Sequence, residues 1–136
     1  MPSSKHFSVD EAQARLPELE RIFILCAEIR AKAQARVERI QRLQARKDAS
    51  PVELAIERSQ VEFLAQCLEQ ALAGIPAMGA VLKGLDPGLV DFPHLLDGEG
   101  EVYLCWREGE KDIRHYHRTD EGFAGRRPLP DKQAIH

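Results

Sequence analysis

The chain has 136 residues, 43% hydrophobic and 30% charged, with a formal net charge of -3. That length supports one domain with a modest core, the charge argues against wholesale nucleic-acid binding, and no apolar run nears the roughly 20 residues of a membrane span. The opening stretch MPSSKHFSVDEAQ lacks the apolar run of a signal peptide, and Cys26, Cys67 and Cys105 are odd in number, far apart and without a CxxC spacing. Neither a disulfide framework nor an all-cysteine zinc site is expected, and a cytoplasmic setting is.

Ser8 and Glu11 have the spacing of a capping box, so a helix is expected to open at Val9. Pro17 cannot sit in a helix interior without losing a hydrogen bond and clashing one turn back. A short helix to about Arg15 is expected, then a kink or a new start with Pro17 in its first turn. From Pro17 to Lys47 nothing interrupts the pattern: Leu19, Ile22, Cys26, Ile29, Ala33, Val37, Ile40 and Leu43 recur at three- and four-residue steps. This is one apolar stripe on a rod about 45 Å long. Ser50, Pro51 and Glu53 give a cap, a first-turn proline and a helix start, and a second stripe runs through Leu54, Val61, Leu64, Leu68, Leu72 and Ile75. The short connection makes the two helices antiparallel neighbours, and Gly74, Pro76 and Gly79 end or bend the second one.

After Gly79 the pattern shortens. Ala80 to Lys83 reads as a strand, Gly84 to Gly88 as a turn, Leu89 to Phe92 as a strand stopped by Pro93, and Asp97 to Gly100 as a turn. Glu101 to Arg107 alternates, with Val102, Leu104 and Trp106 on one face and Tyr103, Cys105 and Arg107 on the other. A tight turn centred on Gly109 and Glu110 returns the chain from Ile113 to Arg118. It would set Trp106 opposite Ile113, Leu104 opposite His115, Val102 opposite His117 and Arg107 opposite Asp112. Gly122 to Arg127 follows, and a tail over 128–136 is expected to be loosely held.

The segments GLVDFP (Gly88 to Pro93) and YLCWREGE (Tyr103 to Glu110), the His117, Gly122, Phe123, Arg126 series and the opening from Glu11 to Glu20 resemble a small prokaryotic family known only as a domain of unknown function (2203). The likeness covers nearly the whole chain, with Tyr116 standing where a Trp is expected. It implies no activity, so the chemistry rests on the residues.

The stretch from Gly88 to Arg126 holds the only Trp, both Tyr, three of the five His and one Cys. Residues two apart on a strand point the same way, so His115 and His117 can reach one ion, with Asp91 or Glu121 adding a carboxylate for Zn or Fe. The plainer account is two histidines bonded to backbone beside Trp106. In the expected register Cys105 faces away from both histidines and is a small core residue rather than a nucleophile. Asp91, Arg107, Glu110 and Arg126 can line a pocket for a small anion or a carboxylate, though local ion pairs are the simpler account. Arg30, Lys32, Arg36, Arg39, Arg42, Arg46 and Lys47 crowd the distal half of the first long helix. No aromatic residue interleaves them for base stacking, and pairing with Glu53, Glu57 and Glu62 is expected instead.

The reading is α+β: a long antiparallel, coiled-coil-like helical hairpin with a short kinked N-terminal helix over 1–79, a small antiparallel sheet over 80–127 and the tail. A homodimer or a helical partner protein is expected along the hairpin. The first functional expectation is a non-enzymatic interaction or assembly module whose sheet presents a recognition surface. The alternative is a metal or small-ligand site around His115, His117, Asp91 and Arg126. Nucleic-acid binding through the basic half-helix ranks last, and no membrane partner is expected.

Overall fold

Ser8 starts the regular structure. Its hydroxyl accepts from the Glu11 amide at 3.0 Å, and the Glu11 carboxylate accepts from the Ser8 amide at 2.8 Å. Both halves of the expected capping box form, and α1 spans Val9–Gln13. In this computed structural model, which describes residues 5–130, α2 then runs over Leu16–Gln44 with Pro17 in its first turn. There the missing proline amide costs no intrahelical bond. Ser50 caps α3, Pro51–Leu72, by accepting from the Glu53 amide at 3.3 Å. A short α4, Gly74–Ala77, follows.

Five strands succeed the helices: β1 (Val81–Leu85), β2 (Gly88–Leu96), β3 (Gly100–Arg107), β4 (His115–Arg118) and β5 (Arg127–Pro128). They form an antiparallel meander in the order β1-β2-β3-β4-β5. The fold is therefore α+β, as expected. The Leu129 amide donates to the Arg114 carbonyl at 2.8 Å, so the chain stays attached to the sheet past residue 127. The remainder of the expected tail, 131–136, lies outside the described residues.

The chain divides into two compact units. One takes, of the described residues, 5–20 together with 75–130; the other is Arg21–Gly74. In the first unit, Val90, Phe92, Val102, Leu104 and Trp106 are all fully buried on one face of the sheet. They share their burial with Phe7, Ala12, Leu16, Leu19 and Ile75, and the Phe7 ring meets Phe92 edge-on with centroids 5.0 Å apart. In the second unit α2 and α3 are antiparallel neighbours. Arg36 and Arg39 both reach the Glu57 carboxylate, at 3.1 and 3.3 Å, and a Cβ on Gly74 would stand 3.2 Å from the tip of Ile22. Glu57 is only 6% exposed, so two guanidinium partners compensate its desolvation.

Two sequence expectations fail here. Pro93 does not stop a strand; β2 runs through it to Leu96. Its carbonyl accepts from the Phe7 amide at 2.7 Å, so at this residue the backbone polar groups point away from β3, past the last residue that pairs with β1. The absent proline N–H would have faced that open rim, and no ladder bond is lost. The second failure is the β3–β4 register. Cys105 pairs with His115, Leu104 with Tyr116 and Tyr103 with His117, one residue away from the expected pairing. The connection is wider than a two-residue turn. Arg107 and Glu110 close a turn in which Gly109 has φ 103°, and Trp106 Nε1 donates to the Glu110 carbonyl at 2.9 Å. Asp112 pairs with Arg114, at 2.7 Å, and lies outside the β3–β4 ladder, which ends at Cys105 and His115.

Replacing Ser8 by Ala removes one half of the capping box. The expected outcome is a loss of about 1 kcal/mol, read as a lower urea midpoint at unchanged slope.

Candidate metal centre

One residue of register changes which side chains meet. Opposite residues on antiparallel strands project to the same side of a sheet. Asp91 pairs with Cys105, Cys105 with His115, and Tyr103 with His117, so all five share the face opposite the apolar core. The expectation that Cys105 faces away from both histidines is therefore overturned. His115 and His117 do share a face, but the group of donors that converges is Asp91, Cys105 and His117. Their ligand atoms all lie within 4.8 Å of one another, and all three residues are buried. Among the described residues this is the one group of three or more such donors.

His117 is 1% exposed and both its ring nitrogens are engaged. Nδ1 lies 2.8 Å from the Arg118 carbonyl oxygen, and Nε2 lies 2.9 Å from Asp91 Oδ2. A carbonyl can only accept, so Nδ1 carries a hydrogen and donates it. That leaves Nε2 against a carboxylate oxygen, and the short contact requires one positive particle between them: a proton or a metal ion. Burial raises Asp91 above the usual carboxylate range, against the opposing pull of His117 and of Lys83, whose ammonium is 3.8 Å away. Burial, with Asp91 alongside, also pushes the Cys105 thiol up to about 11.

Those facts decide between two chemistries. A cysteine nucleophile needs an imidazole nitrogen facing the sulfur and a thiol held near or below its ordinary value. Here neither nitrogen is free for Cys105 and the thiol is harder to ionise. A metal ion fits better. Zn2+ takes nitrogen, sulfur and oxygen donors at roughly 2.0–2.3 Å, and a ligand histidine commonly donates its second N–H to a backbone carbonyl. Asp91, Cys105 and His117 supply one donor of each type, and Arg118 supplies that carbonyl. The raised thiol is no obstacle, because the ion's own charge favours the thiolate.

Of the other residues singled out from the sequence, Arg126 borders the cluster through a side-chain hydrogen bond with Cys105, and Glu121, His115, Glu110 and Arg107 fall outside it. Glu121 accepts from the Arg118 amide and from Arg127, at 3.0 and 2.9 Å, and belongs to a separate pair. His115 stays half-buried on the same face and outside the donor cluster. Glu110 and Arg126 form a two-pronged ion pair, at 2.8 and 3.2 Å, with Arg126 lying 4.3 Å over the Phe123 ring. The Arg107 side chain is exposed, and its backbone amide donates to Glu110 at 2.8 Å. Cys105 and Lys83 were missed as site residues. The spacing of Asp91, Cys105 and His117 carries a usable signal, for all three share a face only when the loop after Arg107 is wide.

A family model described as "Uncharacterized conserved protein (DUF2203)" matches residues 5–129. No curated protein and no solved structure matches the chain.

The Glu110–Arg126 pair closes the loop beside this face and gives it a pH dependence. Burial pulls the Glu110 carboxyl upward, but hydrogen bonds from Arg126 and from the Arg107 amide, with the Arg126 charge, outweigh it and hold it below 4.5. A folded-state value below the unfolded one adds stability that is complete above about 4.5 and fades as pH falls through the folded value. Glu110→Gln is expected to lose about 1 kcal/mol at pH 7. In urea titrations the gap to the parent chain should narrow as pH falls below about 4.5.

Proposed function

The chain belongs to the uncharacterised conserved DUF2203 family, and we propose that it is a zinc-binding protein whose ion is held by Asp91, Cys105 and His117. The observation that carries this reading is the hydrogen bond from His117 Nδ1 to the Arg118 carbonyl, which fixes the lone-pair nitrogen on Asp91. The mixed donor set favours Zn2+ over Fe2+, since thiolate and imidazole together suit zinc and an iron site of the two-histidine type would need His115 as well. Three free cysteines fit a reducing, cytoplasmic setting. No helix among the described residues is long and apolar enough to cross a membrane.

A second, weaker reading is self-association of the coiled-coil-like hairpin, supported by Ile24, Leu25, Val52 and Ile56, each between 47% and 67% exposed. Multi-angle light scattering then gives twice the 15.3 kDa chain mass; a mass equal to one chain at micromolar concentration would remove it.

Protein prepared without chelator or His tag is expected to carry close to one zinc per chain by elemental analysis. His117→Ala and Cys105→Ser should each lose it. Free Zn2+ at about 100 times Kd should stabilise the parent chain by about 2.7 kcal/mol and leave the variants unmoved. Absence of zinc and iron together with no thermal shift on adding either would refute the site.

A further inference from the structure

The basic half of α2 meets an aromatic residue that its own sequence lacks. Lys32, Arg36, Arg39 and Arg42 line one wall of a groove of about 560 Å3, and Gln60 and Phe63 of α3 line the other. Phe63 is 60% exposed, so a large apolar ring faces water among cations. Glu57 neutralises part of this charge through Arg36 and Arg39. Lys32 and Arg42 have no ion-pair partner among the described residues. Four cations against one carboxylate leave the groove about three charges positive, although the whole chain is negative.

We propose that this groove binds a short run of single-stranded nucleic acid, with phosphates along Lys32 to Arg42 and one base stacked on Phe63. Lys32 and Arg42 stand ten residues apart on one helix, about 15 Å, which makes the charge a line and not a point. A line of cations beside an exposed ring is the combination that holds a single strand without reading its sequence. A duplex keeps its base faces stacked and offers nothing to Phe63. One objection to nucleic acid in the sequence reading was the lack of an aromatic among the basic residues, and Phe63, from the other helix, removes it; the expected carboxylate pairing is met by Glu57 for Arg36 and Arg39 alone among the four cations. The proposal is independent of the zinc site.

Fluorescence anisotropy of the full chain with a labelled ten-nucleotide oligo(dT) tests it. With about three charges neutralised, the single-strand salt slope is about -2, so raising KCl from 50 to 200 mM weakens binding roughly 16-fold. Phe63→Ala should weaken binding about tenfold, Phe63→Trp should retain it, and Lys32→Glu with Arg42→Glu should abolish it. All of these positions are exposed, and circular dichroism confirms that each variant is folded. The same oligonucleotide in a duplex should not compete. The proposal is overturned by no binding at 50 mM KCl, or by binding that both the ring and charge variants leave unchanged. It is equally overturned by a dimer that Phe63→Ala dissociates, because a second copy would then be what covers the ring.

Discussion

Trp106 donates its indole N–H to the carbonyl of Glu110, four residues on. The indole is fully buried and needs a hydrogen-bond partner. Meeting that need draws the loop after β3 back against the strand and keeps it from closing as a two-residue hairpin. The register of β4 follows, and with it the face on which each histidine stands. A different turn would pair Leu104 with His115 and part Cys105 from His117. The composition of the candidate zinc site therefore depends on a contact made by the opposite, apolar side of the same strand.

The sheet has two buried faces of different kinds. One is a conventional core of Val90, Phe92, Val102, Leu104 and Trp106. The other buries Asp91, Cys105 and His117 to within 2% of full enclosure. Burying polar groups is costly unless each finds a partner. Lys83 beside Asp91, the Arg118 carbonyl on His117 and the Glu110–Arg126 pair close by are those partners and screens. A metal ion would take over the role of the proton that the Asp91–His117 contact now requires.

Features set by neighbours in sequence were legible. Ser8 with Glu11, Pro17 in a first turn and Ser50 before Pro51 each act within one helical turn, and each is found where the local chemistry placed it. The Glu57 pairing with α2 also followed from the antiparallel arrangement. What depended on distant partners was not legible. Pro93 continues a strand because Phe7, 86 residues earlier, meets it at the rim. Cys105 joins the donor cluster because a loop is wider than its glycine suggested. Phe63 enters the basic groove from another helix. In each case the local pattern misjudged or missed a neighbour that lies far off in sequence.

The Phe7–Pro93 contact has a consequence beyond the strand it completes. Sheet rims recruit other chains through unsatisfied amides and carbonyls. Past the end of β1, this rim offers a residue with no amide to give and a carbonyl already taken by Phe7. The carbonyl of Phe7 is in turn engaged by His94 Nδ1 at 2.7 Å. A stray strand arriving at Pro93 finds neither a donor nor a free acceptor to copy, so at that residue the molecule is guarded against polymerising edge to edge.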